Sequence, residues 1–322
     1  MIITEAFLEG RVAGFEGLKP KHIQTAISNI FVFDDVVYKI YRNDSEFFNK
    51  NFNDLSKKEN RFSFTRKDFE WNNRLSPEIY TELRGIALSE SGVAFIDPTD
   101  NSEELVIVMN KIDMADQVIR KLIDNKITIK DCYEIGRQFG ERISKLPKPG
   151  VSLTAYEDFL NRYKDEAAWV ASVKQVDQEV ASKYLSFVKD FIESHKEELD
   201  KPDQMSFCLD VHSDNAVFTN GVFLPIDTYA PKEAWLYGFK NINLYRVASD
   251  FYVFMGREAF DEVIRGFEIG SGQKLPRDWD TFMVVYCEII MWPYQYMLSE
   301  KEPWRIVIAE KHEKFLKDLL YR

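Results

Sequence analysis

The chain has 322 residues, 45% of them hydrophobic, which is enough for one large domain or two lobes sharing a cleft. Charged residues make up 30%, and neither a long Pro/Ser/Gly or Gln/Asn tract nor an internal repeat interrupts the pattern, so disordered and low-complexity classes are excluded. A net charge of −11 with scattered Lys and Arg argues against a dedicated nucleic-acid binder and leaves room for a local basic pocket for phosphate.

The N-terminal stretch "MIITEAFLEGRVAGFEG" has acids early and no apolar core of signal length, and no run of 18 or more apolar residues follows, so a soluble cytoplasmic protein without membrane attachment is expected. From about residue 24, "QTAISNIFVFDDVVYKIYR" reads as two β-rich runs flanking a tight turn at Asp34-Asp35. Alternation on the outgoing strand puts Val37, Lys39 and Tyr41 on one face and Val36, Tyr38 and Ile40 on the other, so Lys39 faces solvent or a polar cleft. After the charged segment "NDSEFFNKNFNDLSKKENR", a helix-like run "FSFTRKDFEWNNRL" stops at Ser76-Pro77, because the residue before proline is pushed out of the α region. Strands at about 91–96 and 104–109 complete a first third that is mostly sheet with one helix.

Beyond "MNKID" the pattern turns helical. In "IKDCYEIGRQFGERISKL" the residues Cys132, Ile135, Phe139, Ile143 and Leu146 recur as a core-facing stripe. "TAYEDFLNRYKDEAAWV" and "EVASKYLSFVKDFIESHKEEL" behave likewise, the latter through Tyr184, Phe187, Val188 and Phe191, and the chain from about 247 is again largely helical. The expected architecture is α+β and bilobal: a small sheet-rich lobe over 1–109, an extended connector near 106–112, and a larger, mainly helical lobe over 110–322 with one isolated β-hairpin. Cys132, Cys208 and Cys287 form no CxxC pair, and the four histidines no HExxH, so a disulfide framework, a zinc site and metalloprotease chemistry have no support.

The hairpin is "CLDVHSDNAVFTNGVFLPID", residues 208–227, with Asn220-Gly221 as a two-residue turn. Counting outward brings Asn215 opposite Ile226, with Asp227 the next residue and Asp210 on the entering loop. Strict pleating would part Asn215 and Asp227, so their meeting requires the strand to bend or end at Asp227, which Pro225 favours. An amide oxygen and a carboxylate are hard ligands of the kind Mg²⁺ takes together with substrate phosphates. A further Asp that is not a ligand can orient an attacking hydroxyl and accept its proton. These residues describe a phosphoryl-transfer site, with His212 read as a brace of the loop and Asp214 as an exposed turn acid.

Asp-x-His-x-x-Asn followed by a short hairpin and Ile-Asp resembles the catalytic and metal-binding loops of the aminoglycoside phosphotransferase and choline kinase group, which has the protein-kinase-like fold. The likeness is strongest to the phosphotransferase-like domain that some bacterial proteins carry fused to a P-loop ATPase domain. There the order is "THIS-x-VF…YK", "LNRRLAP-x-Y", "DLH-x-x-N", a hairpin and "DVASD"; here it is "TAISNIFVF…YK", "WNNRLSPEIY", "DVHSDN" and "RVASD". No P-loop is expected, since "GSGQKL" lacks the GK[ST] ending.

The resemblance implies ATP and Mg²⁺ as cofactors and a small-molecule hydroxyl as phosphate acceptor. It makes Asp210 the catalytic base, Asn215 and Asp227 the Mg²⁺ ligands, and Lys39 the lysine that reaches the α/β-phosphates, with Asp68 or Glu70 as its helix partner. Val106 to Asn110, and so Val108, Met109 and Asn110, would hold adenine through backbone groups, while Thr25 and Ser28 lie where a loop would cover phosphates. Departures stand at Cys208 and Arg246, where the group often has His and Asp, and in the absence of glycine from the covering loop. They keep open an alternative, a nucleotide-binding regulatory module with little or no transferase activity. Trp235, Tyr237, Trp292, Tyr294 and Tyr296 read as core aromatics before they read as a pocket for a cationic acceptor.

Overall fold

The computed structural model describes residues 2–201, 203–230 and 235–320. The chain divides into two compact units, Met1–Met114 with Leu224–Glu233, and Ala115–Phe223 with Ala234–Arg322.

The first unit contains helices α1 (Ile3–Leu8), α2 (Glu46–Asn51) and α3 (Lys58–Leu75), and strands β1 (Lys21–Gln24), β2 (Ser28–Val32), β3 (Val36–Tyr41), β4 (Tyr80–Ser89), β5 (Gly92–Ile96) and β6 (Glu104–Asn110). The six strands form one antiparallel sheet in the order β1-β2-β3-β6-β4-β5. Period-two alternation sends Tyr38 and Ile40 into an apolar cluster with Phe7, Phe31, Phe33, Ile86 and Val106, against which Val36 packs. Phe7 of α1 stacks on Phe31 with ring centroids 4.2 Å apart. The opposite face of β3 carries Lys39 and Tyr41, and Tyr41 meets Phe64 of α3 edge-on at 5.0 Å.

Two sequence expectations change here. Strand β4 has no counterpart among them, because its polar start, Thr81-Glu82, hides the alternation, and a bulge between Tyr80 and Glu82 shifts its register. The connector expected from 106 begins later: residues 104–110 are strand β6, bonded on one side to β3 and on the other to β4.

The second unit is built on helices α4 (Val118–Ile123), α5 (Ile129–Ile143), α6 (Ala155–Ser172), α7 (Gln178–Ser194), α8 (Lys196–Leu199), α9 (Ile242–Met255), α10 (Arg257–Ser271), α11 (Asp280–Ser299) and α12 (Ile306–Leu320). Helix starts follow capping chemistry: Thr128 and Thr154 accept from the backbone N–H three residues on, and Asp131 and Glu157 reach back. Strands β7 (Met205–Phe207) and β10 (Tyr237–Phe239) pair antiparallel. Strands β8 (Ala216–Thr219) and β9 (Val222–Pro225) pair around Asn220-Gly221, whose φ values of 50° and 77° are those a two-residue hairpin turn demands.

Helices α5 and α10 approach so closely that glycine is required at the crossing. A Cβ on Gly136 would lie 2.0 Å from Val263 O, and one on Gly266 would lie 2.0 Å from Tyr133 O. The predicted α5 stripe holds for Cys132, Ile135 and Phe139; Ile143 is only half-buried, and Leu146 lies beyond the helix. On α7 the buried row is Ala181, Tyr184, Val188 and Ile192, and Phe187 stands exposed, contrary to expectation, because it falls about 100° off that row. Among the described residues no helix is long and apolar enough to cross a membrane.

Candidate active site

Within the first unit, three charged groups meet beside the sheet. Lys39 on β3 is 5% exposed, and its Nζ lies 3.3 Å from Asp68 Oδ2 and 2.5 Å from Asp227 Oδ1. Burial alone would lower the lysine's pKa, but the carboxylates of Asp227 and Asp68 outweigh it and hold the ammonium well above its ordinary value. Burial in turn pushes Asp68 up, against the opposing pull of Lys39. Lys39 is therefore charged at neutral pH.

A polar lattice fixes the two carboxylates. Asn72, one turn after Asp68 on α3, donates through Nδ2 to Asp68 Oδ1 at 2.8 Å. Its Oδ1 accepts from Thr228 N at 2.9 Å and from Thr228 Oγ1 at 3.1 Å, so one amide ties α3 to the segment that follows Asp227. Asp227 sits in the left-handed region at φ 52°, and its N–H donates to Tyr80 Oη at 2.9 Å. Asp tolerates this conformation better than most residues. β9 thus ends at Pro225, whose carbonyl accepts from Ser76 Oγ at 2.6 Å, and the chain turns as the sequence required. With 57% of its side chain exposed, Asp227 keeps carboxylate oxygen available beyond its bond to Lys39.

The choice between Asp68 and Glu70 is settled by helix geometry. Glu70 is turned about half a turn away, on the exposed face of α3, where it pairs with Arg74 at 3.0 Å; its expected place at Lys39 is corrected. Thr25 Oγ1 accepts from Ser28 N at 2.9 Å and lies 2.8 Å from Ser28 Oγ, so these hydroxyls close the β1–β2 turn on itself, and Ser28 is buried. Val108, Met109 and Asn110 belong to β6, where Val108 and Met109 have a ladder partner on either side. Asn110 pairs with Val36, and its N–H donates to Ile79 O. The sheet thus takes up the Val108 and Met109 backbone and the Asn110 N–H.

Within the second unit, the loop from Leu209 to Asn215 is held at nearly every residue. Asn243 of α9 accepts from Leu209 N and donates to Phe207 O, both at 2.8 Å, bracketing Cys208. The brace that sequence reasoning missed at Cys208 comes from this side chain. Asp250 Oδ2 accepts from Ser213 N at 3.1 Å, and buried His212 accepts at Nδ1 from Asp214 N at 3.3 Å. Asp214 overturns its reading as an exposed turn acid: it is buried, with Arg305 Nη1 2.6 Å from Oδ1 and Gln295 Nε2 2.7 Å from Oδ2. Gln117 donates to its carbonyl at 2.6 Å. A sequence-distant arginine and two glutamines supply this network, and no local pattern announces them.

Against that rigid frame the Asp210 carboxylate stands 43% exposed. Arg246 Nη1 is 3.7 Å from Asp210 Oδ1 and donates to Leu209 O at 3.1 Å. Asn215 spends its Nδ2 on Asp210 O at 2.9 Å, which leaves the amide oxygen as the group it can offer a cation. Asn215 in one unit and Asp227 in the other are each hard oxygen donors of the kind that suits Mg²⁺. Beside Arg246 lies Glu166, which accepts from Tyr286 Oη at 3.1 Å; burial lifts its pKa to about 7 against the pull of Arg162 and Arg246. Of the five aromatics read as core, Trp292 is fully buried and Tyr296 is buried with its hydroxyl on Glu313, whereas Trp235, Tyr237 and Tyr294 are half-buried.

No family model matches the chain, and no curated protein matches it by sequence. Solved structures do match. A choline/ethanolamine kinase family protein from Mesorhizobium loti is 12% identical with a TM-score of 0.53, over 100% of this chain and 96% of that one. A glucosamine kinase is 11% identical with a TM-score of 0.51, over 94% and 74%. The same kind of enzyme in complex with glucosamine, ADP and inorganic phosphate is 12% identical with a TM-score of 0.50, over 94% and 80%. The chain therefore has the protein-kinase-like fold, with an antiparallel sheet in its N-terminal part and helices dominating the rest.

Proposed function

We propose that this chain is an ATP- and Mg²⁺-dependent phosphotransferase that moves the γ-phosphoryl group to a hydroxyl of a small molecule. The observation that carries the reading is the buried ion cluster of Lys39 with Asp68 and Asp227. A lysine kept charged in a nearly closed place, with one anchored carboxylate and one half-exposed, suits clamping phosphate oxygens far better than surface solvation. The named glucosamine kinase complex, with a sugar, ADP and phosphate, supports a nucleotide and a polyol acceptor.

In this reading Lys39 binds the α/β-phosphates, with Asp68 holding its ammonium in place. Asp210 orients the acceptor hydroxyl and takes its proton as the new O–P bond forms and the bond to ADP breaks. Asn215 and Asp227 hold Mg²⁺, which supplies charge neutralisation on the phosphate oxygens. Adenine contacts are assigned to the end of β6 at Val108, Met109 and Asn110, where the Asn110 side is exposed.

The test is a thermal-shift titration with ATP and Mg²⁺ beside an ATP-consumption assay over amino sugars, sugars and quaternary amines. Both parent and Asp210→Asn should be stabilised by nucleotide, and only the parent should consume it. Equal turnover in the two would remove the role given to Asp210.

A second reading, a nucleotide-binding regulatory module, is favoured by the guanidinium of Arg246 lying against Asp210. Stabilisation by ATP without consumption on any acceptor would select it.

A further inference from the structure

Away from the cluster at Lys39, three helices of the second unit bring Asp250 (α9), Glu288 (α11) and His312 (α12) together in the interior. They are 1%, 0% and 0% exposed, and a ligand atom from each lies within 4.8 Å of the others. Their hydrogen bonds are divided in a telling way. His312 Nδ1 bonds Glu288 Oε2, and Asp250 Oδ2 accepts from Ser213 N. Asp250 Oδ1, Glu288 Oε1 and His312 Nε2 are each buried without a hydrogen-bond partner.

Such a set is costly as it stands. His312 Nε2 lies 4.0 Å from the equally unpartnered Asp250 Oδ1. The gap is too long for a hydrogen bond, and the second carboxylate lies beside it in the buried interior. Buried polar atoms left unsatisfied are costly, the more so when charged; native structures resolve them with water, a proton or an ion. A divalent ion at ~2.0–2.2 Å from nitrogen and oxygen ligands spaces them roughly 3–4 Å apart. It also cancels the two carboxylate charges, which one imidazolium cannot.

We infer that Asp250, Glu288 and His312 form a buried structural site for one divalent first-row transition ion, Zn²⁺ or Mn²⁺ in class. One imidazole and two carboxylates are a mixed nitrogen and oxygen donor set suited to such ions. Because Asp250 also holds Ser213 N, three residues after Asp210, the ion would stiffen the Leu209–Asn215 loop. The site stands whether or not the chain transfers phosphate.

Elemental analysis of tag-free protein, purified without chelator, tests it. About one equivalent of zinc, manganese or iron per chain is expected, falling below a fifth in His312→Ala and in the gentler Glu288→Gln. After unfolding in chelator and refolding, added Zn²⁺ or Mn²⁺ should raise the parent's Tm by several degrees and leave the variants unmoved. Parent protein free of metal that refolds with the same Tm with and without either ion would overturn the proposal, and that result depends on the parent alone, not on whether a variant folds.

Discussion

Lys39 Nζ lies 2.5 Å from Asp227 Oδ1 although 188 residues separate them, and the same ammonium is 3.3 Å from Asp68. Every group that sets this geometry belongs to the first unit: Asn72 grips Asp68 and Thr228, Tyr80 holds the backbone of Asp227, and Ser76 holds Pro225. The half-exposed carboxylate is therefore delivered to the lysine by a segment distant in sequence but anchored on both sides.

Lys39→Met should destabilise strongly, because it leaves Asp68 buried without its cation; breaking a buried pair costs about 3–5 kcal/mol. Adding Asp68→Asn should restore more than about 1 kcal/mol of that loss, since an amide can keep the bond to Asn72 without a charge. Urea unfolding of the parent, both single variants and the double variant measures this. Strict additivity would show that the two residues do not act as a pair.

Much of this cluster is legible in the sequence. Alternation isolates Lys39 from the apolar face of β3, and the Asn-Gly turn with Pro225 announces where the chain must bend before Asp227. Other parts are not legible, for physical reasons. Strand β4 exposes Thr81 and Glu82 in succession just after buried Tyr80, so period two fails as a signal there. Asp214 looks like a solvated turn acid until Arg305 and Gln295, more than 80 residues away, are folded onto it. Asn243 repairs the brace at Cys208 from another helix, which spacing along the chain cannot reveal. Glu70 and Asp68 differ only in helical phase, and phase is decided by which side of α3 the sheet covers.

Arg246→Gln should raise kcat for phosphate transfer several-fold while leaving ATP affinity unchanged. The guanidinium sits 3.7 Å from Asp210, and in the proposed reaction it would compete with the acceptor hydroxyl for that carboxylate. Both groups are partly exposed, so the pair is screened, and the parent should show part of the same gain at high salt. A fall in kcat with unchanged ATP affinity would instead make Arg246 a positioning residue for the loop through its bond to Leu209 O.

Glu166 gives the fold a pH dependence of definite sign. Burial lifts its pKa from an ordinary 4.5 to about 7, so the folded chain keeps a proton that the unfolded chain gives up between those values. Stability from this group is thus greatest at low pH, declines as pH rises from about 4.5 to about 7, and is flat above. Glu166→Gln should remove that decline. The difference in unfolding free energy between parent and variant, followed from about pH 4.5 to about pH 8, should change across this window; a constant difference would contradict the raised pKa.

The crossing of α5 and α10 sets two opposing effects against each other. Alanine is favoured over glycine in a helix by about 1 kcal/mol, so Gly136→Ala would stabilise an isolated α5. In the fold, however, its Cβ would lie 2.0 Å from Val263 O and 2.8 Å from Val263 C, and backbone atoms inside a helix cannot step aside. The helices must separate, opening the contacts around buried Cys132, Ile135 and Phe139, and overpacking of this kind costs about 1–3 kcal/mol or more. The steric term wins, and Gly136→Ala should lower stability by about 2 kcal/mol or more in urea unfolding. Gly266→Ala, with its Cβ 2.0 Å from Tyr133 O, should do the same from the other helix. The double variant should lose less than the sum, because helices already parted by one methyl make room for the second. Gly150→Ala, which meets nothing within 4 Å, is the control and should be neutral or slightly stabilising. If Gly136→Ala matched that control, the close approach of the two helices would be refuted.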